Sequence, residues 1–171
     1  GAISRVPKDK EIGNSTTISY DVESADTAKN ILLALCEMVC ARLRREGLKT
    51  SCVSVRITDC NFTSRTHQRL LPVLTNVTGE IFSCACSLFD ELWDGAPIRL
   101  LGVQTTRLAS GSYRQYSLFD SGKAEKLEKL DSCIDSIRER YGSDSIMRAS
   151  FLGDEQKENR RNILRRKSDL P

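Results

Sequence analysis

Small hydroxyl side chains crowd one short stretch of this chain. Between Ile12 and Ile18 the order is Ile-Gly-Asn-Ser-Thr-Thr-Ile, so Ser15, Thr16 and Thr17 follow Gly13 and Asn14. Hydroxyls and free backbone amides donate hydrogen bonds to phosphate oxygens, and Gly13 permits close approach to the backbone. Composition alone favours a plainer alternative, a polar outer strand face. A second polar stretch runs from Phe62 to Leu71. Arg65, His67 and Arg69 share one strand parity there, Ser64, Thr66 and Gln68 the other, and neither face is apolar before Leu70 and Leu71. That pattern fits an edge strand or a surface for a polar partner. His67, the one histidine, has no Cys, Asp or Glu constellation beside it in the sequence and is given no catalytic or metal role. A third set follows the flexible break Ser110-Gly111-Ser112. Leu118 and Phe119 are adjacent apolar side chains in polar surroundings, with Gln115 just upstream. Two apolar groups and one amide can anchor in another protein's pocket but cannot build a core.

The elements that must hold these residues are legible from periodicity. Asp26 to Glu46 carries Ala28, Ile31, Leu32, Leu35, Val39 and Leu43 at helical spacing, with Ser24 or Asp26 as cap. Arg42, Arg44 and Arg45 suit its negative end, as a solvated cluster, and Gly47 followed by Leu48 suits its termination. Cys52 to Asp59 alternates, with Val53, Val55 and Ile57 on one face and Ser54, Arg56 and Thr58 on the other. Thr78 to Trp93 is a second helix, with Thr78 as its cap and Ile81, Cys84, Ala85, Leu88 and Leu92 on one side. Pro97 opens a last strand through Ile98, Leu100, Leu101 and Val103. The order β-α-β-β-α-β predicts an α+β fold, a four-stranded antiparallel sheet covered on one face by two helices. Its open face then gathers the hydroxyls and arginines of the first and third strands into a basic, polar platform for a nucleic-acid backbone. Without exposed aromatics it does not suit single-stranded RNA.

At 171 residues, 39% hydrophobic and 29% charged, the chain suits one modest domain with extensions. No apolar run of about 18 residues and no charged-then-apolar leader is present, so the expectation is a soluble intracellular protein without a membrane partner. The seven cysteines, at 36, 40, 52, 60, 84, 86 and 133, form no C-x-x-C pair and read as small buried hydrophobes. A net charge of +3 permits a nucleic-acid partner without demanding one.

The run Lys10-Glu11-Ile12-Gly13-Asn14-Ser15-Thr16-Thr17, the helix end Arg-Leu-Arg-Arg-Glu-Gly-Leu-Lys, the strand Thr66-His67-Gln68-Arg69-Leu70-Leu71-Pro72 and the run Pro97-Ile98-Arg99-Leu100-Leu101-Gly102-Val103 together resemble the little-finger domain of Y-family translesion DNA polymerases of the DinB/UmuC type. The resemblance covers about residues 8 to 150. Gln115-Tyr116-Ser117-Leu118-Phe119 is similar to the sliding-clamp-binding peptide of bacterial members. The resemblance implies a sheet lying along primer-template DNA, held by Gly13, Asn14, Ser15, Thr16 and Thr17 from one strand and by Thr66, Gln68 and Arg69 from another. Arg56, Arg65 and Arg107 are this chain's own candidates to offset the charge its departures from the family lose. Glu11, His67 and Leu70 depart from the family's usual serine, arginine and threonine. It also implies a sliding clamp bound by Gln115, Leu118 and Phe119, a cytoplasmic, nucleoid-associated setting in a bacterium, and a magnesium-using catalytic core lying in other sequence. The chain lacks the metal-binding carboxylate motifs of a polymerase palm, so no cofactor is expected in this fragment and it should not polymerise by itself.

On this reading residues 1–9 are a linker, 10–109 the DNA-binding domain, 110–121 the clamp peptide, 122–150 a helical extension and 151–171 a charged, disordered tail. Leu127, Leu130, Ile134, Ile137 and Tyr141 form a narrow heptad stripe suited to docking or self-association. A competing reading makes the chain a protein-interaction module whose sheet binds nothing strongly. A small-molecule enzyme ranks last, for want of paired carboxylates, a Cys-His set or a phosphate loop.

Overall fold

The alternation of side chains on the strands and the one-sided stripes of the helices dictate a two-layer packing. The computed structural model describes residues 6–7, 10–110 and 121–168. Strands β1 (Ile12–Val22), β2 (Leu48–Asp59), β3 (Ser64–Thr75) and β4 (Ile98–Ser110) form one antiparallel sheet in the order β1-β4-β2-β3. Helix α1 (Ala25–Arg45) carries the chain from β1 over β4 to β2, and α2 (Thr78–Leu92) carries it from β3 over β2 to β4. Each half is thus a split βαβ unit, and both helices lie on the same side, as the sequence pattern predicts.

The core sits between the layers. Ile31, Leu32, Leu35 and Leu43 of α1 and Ile81, Leu88 and Phe89 of α2 are buried against Ile12, Val53, Val55, Leu101 and Val103 of the sheet. Helix α1 starts where Ser24 Oγ accepts from the Thr27 amide at 3.5 Å and stops at Gly47, whose φ of +67° suits a residue without Cβ. Helix α2 has no cap of its own, because the residue before it is Val77 and Thr78 caps nothing. The Thr78 amide instead donates to Asp131 at 2.8 Å, a carboxylate from the next helix along the chain. That anion sits at the positive end of α2.

Helix α3 (Ser121–Tyr141) docks by charge rather than by its heptad stripe. Arg44, expected as part of a solvated cluster, is mostly covered and bonds Asp131, Asp135, the Asn76 carbonyl and Thr78 Oγ1. Leu130 and Tyr141 of the stripe are exposed, and Leu127, Ile134 and Ile137 are half-buried. The segment expected as a disordered tail is corrected by helix α4 (Asp154–Ser168), which follows a short 3-10 turn at Ala149–Phe151. Phe151, Arg160 and Ile163 are buried on the domain, and buried Glu37 of α1 faces Arg148 at 2.9 Å, Arg138 at 3.5 Å and Arg160 at 3.8 Å. Of these cations Arg160, which also pairs with Asp144 at 2.6 Å, ties down α4, a helix with little apolar content. Among the described residues no helix is long and apolar enough to cross a membrane.

Candidate nucleic-acid interface

Pairing between strands sorts every polar residue of the sheet onto one face or the other. On the open face three rungs cross all four strands: Gly13, Gln104, Ser54 and Gln68; Ser15, Gly102, Arg56 and Thr66; Thr17, Leu100, Thr58 and Ser64. Arg56 stands near the middle, its Nη2 donating to Ser64 Oγ at 3.3 Å, and Ser64 is 2.8 Å from Thr58 Oγ1. Glu11, beside the first rung, accepts from Gln104 Nε2. Gly102 leaves a dip between Ser15 and Arg56, since a Cβ there would lie 3.2 Å from Ser15 Cβ and 3.7 Å from Arg56 Cβ. Hydroxyls and one guanidinium around such a dip can take phosphate oxygens.

The opposite parity belongs to the helix side, and there the sequence-based platform needs correcting. Its rungs are Ile12, Thr105, Val53 and Arg69; Asn14, Val103, Val55 and His67; Thr16, Leu101, Ile57 and Arg65. Thr16 is buried, and Asn14 Nδ2 lies 3.3 Å from Met38 Sδ of α1. Arg65 pairs with Asp94 at 2.5 Å, His67 with Glu91 at 3.0 Å, and Arg69 with the same Glu91. The arginines of β3 therefore lie over the end of α2, not among the hydroxyls. The Arg69 guanidinium, helped by His67, holds the Glu91 carboxyl below the usual range. The Ala96 amide, then Arg65, does the same for Asp94.

Of the predicted DNA-contacting residues, Gly13, Ser15, Thr17, Arg56, Thr66 and Gln68 share the open face. Asn14, Thr16, Arg65 and Arg69 do not. Arg107 is exposed past the rungs, with a left-handed φ of +51°. Ser54, Thr58, Ser64, Gly102 and Gln104 join the face without having been singled out. The alternation in β2 already set Ser54 and Thr58 beside Arg56, whereas Gln104 needed the pairing with β1. Gln115, Leu118 and Phe119 lie outside the described residues. No group of His, Cys, Asp and Glu able to hold a metal ion occurs among the described residues.

Residues 9–118 match the profile of the impB/mucB/samB family C-terminal domain. The chain belongs to that family. Among curated relatives, a DNA polymerase IV of Clostridium acetobutylicum is 40% identical over 148 residues, covering 86% of this chain and 37% of its own length. A DNA polymerase IV 2 of Halalkalibacterium halodurans is 37% identical over 157 residues, covering 90% of this chain and 38% of its own. The chain thus spans little over a third of the length of these relatives. A crystal structure of DinB from Sulfolobus solfataricus, 11% identical, superposes with a TM-score of 0.51 over 59% of this chain and 29% of that one, a likeness of fold. The matched family region takes in the whole sheet and both covering helices, while α3 and α4 lie beyond it.

Proposed function

We propose that this chain is the DNA-gripping little-finger domain of an error-prone, translesion DNA polymerase, holding primer-template duplex through its phosphates. The observation that carries this reading is the open sheet face, where Ser15, Thr17, Thr58, Ser64 and Thr66 surround Arg56 and the Gly102 dip. Such a face recognises a backbone without reading bases. Magnesium-dependent nucleotidyl transfer then belongs to a catalytic core in sequence outside this chain, which is in keeping with relatives named DNA polymerase IV and more than twice as long. Gln115, Leu118 and Phe119 serve as the anchor for a sliding clamp, and the setting is the bacterial nucleoid.

The test is fluorescence anisotropy of a labelled primer-template duplex at low and moderate salt. Wild-type binding should weaken with salt, and Arg56→Ala should lower affinity and reduce the salt slope by about one phosphate contact. A specific observation favours the competing protein-interaction reading: Arg56 is the only cation on the three open-face rungs, and Glu11 adds a negative charge beside the first of them. Absence of duplex binding at low salt, with clamp binding retained and lost in Leu118→Ala/Phe119→Ala, would decide for that alternative.

A further inference from the structure

An aromatic side chain is presented to solvent at the hairpin between β2 and β3. Phe62 is 74% exposed and has φ of +64°, a conformation that bulky L-residues rarely adopt. The turn is built to hold it so. The Asp59 carboxylate, itself buried, accepts the amides of Asn61 at 2.8 Å and Thr63 at 3.0 Å, and the Phe62 amide donates to the Asp59 carbonyl at 3.0 Å. The Cys60 amide ties the tip to the Pro97 carbonyl at 2.9 Å. Arg99 lies over the Phe62 ring, 4.8 Å from its centroid. Arg99 is the extra residue of a bulge in β4, since Asp59 pairs with Ile98 and Thr58 with Leu100. Ile98 is buried on the helix side, and Leu100 shares the rung of Thr17, Thr58 and Ser64 on the open face. The aromatic and guanidinium pair thus stands at the end of the polar face, next to its last rung.

We propose that Phe62 and Arg99 form a stacking site for an unpaired nucleobase at the edge of the duplex platform. An aromatic face and a guanidinium plane are the two surfaces on which splayed bases stack, and stacking accepts any base. Arg99 covers one face of the ring and adds positive charge for the adjoining phosphate. Adjacency to Ser64, Thr58 and Arg56 selects nucleic acid over an apolar protein partner. The site rests on the DNA-binding reading but adds a ligand which that reading does not include, a base outside the helix.

The test titrates the full chain against a blunt duplex and against the same duplex with a short single-stranded overhang bearing a fluorescent base analogue. Wild type should bind the overhang substrate more tightly and quench the analogue. Phe62→Ala should lose about tenfold on the overhang substrate, equal to about 1.4 kcal/mol, within the range of one base-aromatic stack. It should bind the blunt duplex as wild type does, and Phe62→Trp should retain the quench. Duplex binding with no overhang gain, or with a gain indifferent to Phe62, would overturn the stacking site and leave the platform standing. Overhang binding that depends on Phe62 without duplex binding would support the site and overturn the platform. No binding of either substrate would overturn both.

Discussion

The Arg44 guanidinium of α1 forks onto the Asp135 carboxylate of α3, with Nε 2.6 Å from Oδ2 and Nη2 3.0 Å from Oδ1. Its remaining nitrogen reaches Asp131 Oδ2 at 3.2 Å, the Asn76 carbonyl at 2.8 Å and Thr78 Oγ1 at 3.1 Å. One side chain therefore joins α1, the start of α2 and α3. Burial works against its charge, but Asp135 and Asp131 outweigh that and raise its pKa further.

Arg44→Ala should destabilise the domain by about 3–5 kcal/mol, because it leaves Asp131 buried without its cation. Arg44→Lys should recover only part of this, since an ammonium cannot make the fork. Urea unfolding followed by circular dichroism measures both. A midpoint unchanged in Arg44→Ala would mean that α3 does not dock as described.

Glu91 gives the stability a definite pH dependence. Arg69 and His67 lower its folded pKa, so its contribution is complete above the ordinary carboxylate range. It is lost as pH falls out of the ordinary carboxylate range and through the lowered folded value. Glu91→Gln should therefore melt lower than wild type at neutral pH, and the two melting curves should converge in acid. A gap that persists unchanged into acid would contradict the pairing.

Burial separates the cysteines by reactivity. It pushes the Cys40 thiol up to about 12 and Cys36 well above its ordinary value, so neither is a thiolate near neutrality. Cys133, on α3, is exposed. A thiol reagent at mildly alkaline pH should label Cys133 first and reach Cys36 and Cys40 only after unfolding. Mass spectrometry of timed samples reads the order, and early labelling of Cys40 would contradict the packing of α1.

The layers of the fold were legible because β2, α1, α2 and β4 carry clear apolar periodicities. The faces of β1 and β3 were not. Asn14 to Thr17 is polar throughout, and only the flanking Ile12 and Ile18, which are buried and share the parity of Thr16, mark it as the inward one. Pairing with Leu101 and Leu100 of β4 sends Thr16 inward and Thr17 outward in the same way. Arg65 and Arg69 stand opposite Ile57 and Val53 across the ladder, yet β3 is an edge strand whose helix side meets Glu91 and Asp94 rather than the core. Charge is tolerated there, and the local sequence reads the same either way. Helix α4 was hidden for a related reason. Of the two anchors for Arg160, Glu37 lies far from it in sequence, and Ile163 alone makes no stripe.

Gly102 offers a sharp test of the open face, because a small steric change there, beside Arg56, alters the surface without removing a charge. A Cβ there meets Ser15 Cβ at 3.2 Å, tighter than ordinary contact, so the neighbour must shift slightly, and it lies 3.7 Å from Arg56 Cβ. Gly102→Ala should therefore fold, with far-ultraviolet circular dichroism like that of wild type. Gly102→Val adds two more methyl groups between Ser15 and Arg56 and should close the dip to a phosphate. Duplex affinity should fall in the order wild type, Ala, Val, by a few-fold at each step. Thr16→Ala and Arg69→Ala, on the other side of the same strands, should change duplex affinity less than Arg56→Ala. If Arg69→Ala proves the more damaging while Gly102→Val binds normally, the nucleic acid lies along the β3 edge and the end of α2 instead.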